Sequence, residues 1–179
     1  MSAVKVELGR RLFHDQRLSL NQTQSCASCH QADKAFTDGQ PLPLGSTGEM
    51  GRRNSMSLLN VAYLPTLTWG NPSIRSLEQQ VLLPLLGEHP VELGMAGQEA
   101  VLIERLRKDR DYPKLFRRAF PERRGEISLW TLTRAIAAFE RTILSGDSAY
   151  DRHQAGNEKA LSDSAKRGME IFFNKGHCS

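Results

Sequence analysis

The chain is poor in most of the features that identify a protein quickly. No apolar run approaches the ~20 residues that a membrane-crossing helix needs, so a transmembrane span is not expected. The opening stretch, "MSAVKVELGRRLF", has no apolar centre and no small-residue cleavage site, so no signal peptide is readable there. Strand signals are scarce, because few segments alternate apolar and polar residues and β-branched runs are missing. Cysteine is limited to 3 residues, an odd count that first suggests a free thiol.

What remains is an ordinary globular composition, with 39% hydrophobic and 25% charged residues. At 179 residues there is room for one well-buried core and the start of a second. The formal net charge is +4, and the densest basic stretch is "RLRKDRDYPKLFRRAFPERR", residues 105–124. Asp109, Asp111 and Glu122 interrupt it at helical spacing. A solvated helix face is therefore favoured over nucleic-acid binding, with an acidic protein partner as the intermediate reading.

Helical periodicity is frequent. Val4, Leu8 and Leu12 repeat every four residues. Ser76 with Gln79 resembles a capping box opening a helix that carries Leu77, Val81 and Leu82, and Pro84 is expected to end or kink it. Further helices are expected over about 98–109, after Asp111, from Ser128 as N-cap with Gly146 past the C-terminus, and from near Ser162 onward. The Ser128 helix carries Leu132, Ile136, Phe139 and Ile143, with Trp130 assigned to the core. Long Gly/Pro/Ser-containing connections, notably 37–55 and 63–73, are the kind that wrap around something. The fold class read from this pattern is mostly α.

One motif stands out. Residues 26–30 read "CASCH". Two thiols one short helical turn apart can each add to a haem vinyl group, and the histidine after them can serve as an axial iron ligand. A zinc site would need a second ligand pair, whereas Cys178 is the only other cysteine. A thioredoxin-like pair would need a βαβ setting, which a helical pattern does not offer. Cys26, Cys29 and His30 are therefore read as a c-type haem attachment site. The ending "KRGMEIFFNKGHCS" weakly repeats "LGRRLFHD…SCASCH", so Cys178 and Ser179 are expected to open a second such motif. Haem attachment of this type belongs to an exported, oxidising compartment. The chain is accordingly expected to be a piece of a periplasmic protein, comprising a haem domain at 1–160 and the start of a second at 161–179.

The chain resembles the bacterial di-haem cytochrome c peroxidase and MauG family over essentially its whole length. The resemblance is carried by "LGRRLFHDQRLS", "SCASCH", "AFTDG", "RRNSMSLLNVAY", Trp69, "SLEQQ", "HPVELGM", "YPKLFRRAFP", "AIAAFERTI" and "GNEKALS". "LGEHPVELGM" also resembles the MbnH-like branch. The resemblance implies a cytochrome c-like domain with long loops, the N-terminal half of a two-domain protein. It implies haem c, one in this piece and two in the full chain, and an open haem at which hydrogen peroxide is reduced.

By the same resemblance His30 is the proximal ligand of that haem. Gln80 and Glu92 match the distal-pocket pair, with Pro84 beside them. Trp69 matches the tryptophan between the two haems, and Asn54 a ligand of a calcium ion. Ser46 stands approximately where some family members carry an iron-capping histidine, and a serine hydroxyl is a poor iron ligand, which implies an open iron. Read as chemistry, Glu92 would move the peroxide proton and Gln80 would orient the peroxide. Electrons would come from a small donor protein or from a partner protein's oxidised side chain, with little turnover expected of the 179-residue piece alone.

The alternative is an electron-transfer cytochrome without peroxidase activity. His89, Met50, Met56 and Met95 are the candidates for a second axial ligand in that case, although methionines at such positions usually pack. His14 and His153 are read as surface residues.

Overall fold

A computed structural model describes residues 1–178, in two compact units divided between Leu144 and Ser145. The sequence expectation put a domain boundary later, at 160/161. Among the described residues the regular structure is helical, and strand pairing is confined to isolated bridges such as Gln31 with Thr37.

The first unit contains α1 (Ala3–Phe13), α2 (Cys26–Cys29), α3 (Leu77–Gln80), α4 (Leu82–Leu86), α5 (Glu99–Arg107), α6 (Tyr112–Ala119) and α7 (Leu129–Glu140). Helix α1 starts where the Ser2 hydroxyl accepts from the Lys5 N–H, and its stripe of Leu8, Leu12 and Phe13 is fully buried. That stripe packs on α7, whose Leu132, Ala135 and Ile136 are equally buried. The two backbones meet closely at Gly9. A Cβ placed there would lie 1.8 Å from the Ala135 carbonyl oxygen. Leu102 and Leu106 of α5 and Phe116 of α6 complete the core.

Helix α7 begins as expected, with the Ser128 N–H donating to the Thr131 hydroxyl at 3.0 Å. It ends at Glu140, so Ile143, expected within the helix, lies beyond it. The Thr142 hydroxyl donates to the Phe139 carbonyl at 2.6 Å, and the Thr142 and Ile143 N–H groups bond three residues back, which tightens and closes the helix. Trp130 corrects another expectation. It is 40% exposed on the outer face, between the guanidiniums of Arg123 at 4.4 Å and Arg134 at 3.7 Å.

The proline effect appears one turn early. Pro84 lies within α4, and the chain breaks at Val81, just after the residue whose carbonyl a proline at 84 crowds. The capping at Ser76 is half of the expected box. Its hydroxyl accepts from Gln79 N–H at 3.2 Å, but the Gln79 amide oxygen accepts from the Arg75 N–H instead. The basic stretch has structural work as well as a solvated face. Arg105 donates to the carbonyls of Arg17, Ser19 and Leu20, which holds the segment leading into "CASCH".

In the second unit, α8 (Ala149–Gln154) and α9 (Asp163–Glu170) are capped by Ser148 and Ser162, and a π-helical turn follows over Ile171–Lys175. His153 is not the surface residue expected, because its side chain is only 12% exposed. Cys178 is exposed and its thiol lies 3.2 Å from the Gly176 carbonyl, while Ser179 falls outside the described residues.

Candidate functional site

The first unit contains a cavity of about 480 Å³, within the ~300–1,000 Å³ that small-molecule and cofactor sites occupy. Both long connections run along its wall, through Pro43 to Gly45, Gly51 to Ser57, Leu64 and Leu67 to Asn71. Cys26, Cys29, His30, Asn54, Trp69, Gln80, Pro84 and Glu92, widely spaced in sequence, all border this one space.

The motif is built from its own letters. Ser25 opens α2, and the hydroxyl of Ser28, between the two cysteines, accepts from the Ser25 N–H at 3.0 Å. A helical turn with residues three apart then sets both thiols on one side. The His30 N–H bonds the Cys26 carbonyl at 3.0 Å, where the helix ends.

The loop after His30 turns back sharply through Ala35 and Phe36, both left-handed at φ 56° and 59°. This aims the Phe36 carbonyl at His30, which meets it through Nδ1 at 2.8 Å. With Nδ1 donating, Nε2 keeps its lone pair, which is the tautomer a metal-ligating imidazole requires. Burial lowers the His30 pKa, favouring the neutral ring, against a partial pull from the Phe36 and Met56 carbonyls. The turn is strained, since side chains pay for the left-handed region. Ala35→Gly is expected to stabilise the protein by roughly 0.5–1 kcal/mol, read as a higher denaturation midpoint.

The thiols separate two readings of the motif. Burial pushes Cys29 up to about 11 and Cys26 further in the same direction. A reactive Cys-x-x-Cys redox pair needs the opposite shift. Among the described residues no group of three or more His, Cys, Asp or Glu is arranged to hold a metal ion, which also disfavours zinc. Two thiols on one side of a helical turn and an oriented imidazole, all on the wall of one cavity of cofactor size, fit haem.

The part of the wall that carries Glu92 and Pro84 is anchored by backbone pairing. The Ser46 N–H donates to the Glu92 carbonyl at 2.7 Å, and the Leu93 N–H to the Pro84 carbonyl at 2.9 Å. Gly45 allows this approach, since a Cβ there would lie 1.8 Å from the Val91 carbonyl oxygen. Glu92 keeps exposed surface where it borders the cavity, yet the surrounding protein desolvates its carboxyl and raises its pKa. Gln80 is held in place through its helix, where Glu78 is paired with Arg141 at 2.8 Å and 3.0 Å. The Trp69 indole N–H donates to the Asn54 carbonyl at 2.9 Å, with the residue 51% exposed.

Several candidates lie elsewhere. His89 and Met50 are exposed and do not border the cavity, Met95 is sealed in the core, and His14 is on the surface. Met56 does border it. Ser46 does not, and its hydroxyl is buried without a partner. Glu140 was missed by the sequence reading, although it sits on the cavity wall at the end of α7. The signal was available, because Glu140 continues the four-residue step of Leu132 and Ile136 with a charged residue.

A family model described as di-haem cytochrome c peroxidase matches residues 3–159. The methylamine utilization protein MauG of Methylophilus methylotrophus is 38% identical over 97% of this chain and 50% of its own length. The cytochrome c551 peroxidase of Pseudomonas aeruginosa is 32% identical over 97% of this chain and 48% of its own. A solved MauG-like protein associated with microbial copper homeostasis superposes with a TM-score of 0.92 at 44% identity, covering 97% of this chain and 50% of that one. The chain thus spans about half the length of the curated relatives it matches.

Proposed function

Because the chain belongs to the di-haem cytochrome c peroxidase family, we propose that it carries the peroxide-reducing half of a c-type haem oxidoreductase. Cys26 and Cys29 would hold the haem through thioethers and His30 through the iron. When bound, the haem supplies the redox centre at which hydrogen peroxide is reduced. One observation carries this reading: the wall that presents Cys26, Cys29 and His30 also presents Gln80, Pro84 and Glu92, but none of His14, His89, Met50 or Met95.

The chain's own residues then have distinct tasks. Glu92 takes the proton from one peroxide oxygen and returns it to the other, which leaves as water. Gln80 orients the peroxide by hydrogen bonding without adding charge, and Pro84 offers no N–H to compete there. Trp69, steadied by Asn54, provides an aromatic path at the cavity rim for electrons arriving from a second haem centre. That centre would be opened by Cys178 in a domain starting near 161. The electrons would originate in a donor protein or in an oxidised side chain of a partner protein, in the periplasm. No helix of the described residues is long and apolar enough to cross a membrane.

Calcium at Asn54 finds no carboxylate cluster among the described residues, and no step here uses it. A second reading, an electron-transfer cytochrome, is favoured only by Met56 on the cavity wall. Its carbonyl approaches the His30 ring, which puts that segment beside the proximal ligand.

The test is to express the protein with periplasmic haem maturation, measure the mass gain, and record the ferric spectrum. A covalent adduct with a high-spin, five-coordinate iron is expected for the haem at "CASCH". A low-spin His/Met or His/His spectrum at that haem would move the assignment to the carrier, and no adduct would remove both.

A further inference from the structure

Glu140 is a buried acid that the peroxide chemistry does not use. It is 4% exposed, and its Oε2 is sealed from solvent with no hydrogen-bond partner. A leucine at this step of α7 would continue the buried face at lower cost, so a buried carboxyl with an unpartnered oxygen here asks for a reason. Its position supplies one. It borders the same cavity as His30, and its charge is felt at the Cys26 thiol on α2.

The charged groups around it leave it uncompensated. Arg141, the next residue, favours the carboxylate, but its guanidinium is committed to Glu78 of α3, whose charge acts in the opposite sense. Just past the end of α1, His14 packs on the neighbouring Phe139 ring at 6.2 Å. Cys26 ceases to titrate once it is a thioether. Glu92 borders the cavity from a different segment. Burial dominates this balance and pushes the Glu140 carboxyl up to about 8.

We propose that Glu140 exchanges a proton in step with the haem held in this cavity, carrying it when the iron is ferrous and releasing it when the iron is ferric. The inference rests on the haem reading above. One electron from a one-electron reductant converts ferric to ferrous iron, and one solvent proton binds a Glu140 oxygen; oxidation returns both. The physical cause is charge. Reduction makes the cavity one unit more negative, which disfavours a carboxylate beside it, and oxidation favours one. Glu140 thereby keeps the cavity's net charge nearly constant while the iron changes state, at no expense to the peroxide side of the site.

The experiment is spectroelectrochemical titration of the haem-loaded protein from roughly pH 5 to 9, with haem content verified by mass. In the wild type the midpoint potential should fall as pH rises, approaching about 59 mV per tenfold change in proton activity where one proton follows the electron. Glu140→Gln, neutral and of the same size, should flatten that dependence, whereas Glu92→Gln should retain it. The reduced-minus-oxidised infrared spectrum of the wild type should contain a protonated-carboxyl band that Glu140→Gln lacks.

A pH-independent wild-type potential, a slope that survives in Glu140→Gln, or a slope lost only in Glu92→Gln overturns the proposal. The infrared band needs no variant to fold, and its absence from the wild type is equally decisive against it. A wild-type protein that gains no covalent haem fails at the premise, and the mass measurement distinguishes that failure from the others.

Discussion

Glu92→Gln in the haem-loaded protein is expected to slow peroxide cleavage by about 10²–10⁴-fold, the range that a positioned acid–base group contributes. Glutamine keeps the shape and a hydrogen-bonding oxygen, so peroxide can still enter and be oriented, but it cannot accept and return a proton. The pH profile carries a second signature. Glu92 must be ionised to take the first proton, and desolvation raises its pKa above the ordinary carboxylate value. Activity should therefore fall as pH drops through that raised value, at a higher pH than an exposed carboxylate would give. The variant should lack this acid limb and show a low, flat rate. Stopped-flow mixing with peroxide at several pH values reads both effects. An unchanged rate, or an acid limb that persists in the variant, would remove Glu92 from the reaction.

The parts of this site that were legible in the sequence share a physical reason. The "CASCH" spacing works within one helical turn, so its geometry is local and survives without knowledge of the fold. Helix starts at Ser128 and Ser162 were similarly readable, because a hydroxyl satisfies orphan N–H groups a few residues away. The gathering of Trp69, Gln80 and Glu92 on one cavity wall with His30 was suggested only by family resemblance, since each sits on a separate loop or short helix: Glu92 is held by backbone pairing, Gln80 through the Glu78–Arg141 pair and Trp69 through its bond to Asn54. The length of α7 was overestimated because Ile143 continues the apolar spacing after the backbone has already tightened at Thr142. Trp130 misled for the opposite reason. A large aromatic was assigned inward, while two guanidiniums give its ring faces adequate partners at the surface. Glu140 was passed over because an apolar-stripe reading skips a charge that falls within the stripe.

Gly9→Ala is expected to destabilise the protein by about 3 kcal/mol or more, against the direction that helix propensity alone would give. Propensity favours alanine over glycine by about 1 kcal/mol inside a helix. Here the added methyl would lie 1.8 Å from the Ala135 oxygen and 2.6 Å from its carbonyl carbon. Those are backbone atoms of α7, which cannot rotate aside as a side chain can, so α1 and α7 must separate. Separation loosens Leu8, Leu12 and Phe13 from Leu132 and Ile136 along the buried face. It also shifts the helix that brings Ile136 and Glu140 to the cavity wall, so haem retention should fall together with the unfolding midpoint. Gly168→Ala is the comparator. Gly168 lies within α9, nothing approaches its Cβ position within 4 Å, and propensity should prevail there with a neutral or stabilising result. Denaturant titrations of both variants separate the effects by sign. A Gly9→Ala protein as stable as the parent would mean that α1 and α7 do not cross in close contact at this glycine, and the floor of the cavity would need a different support.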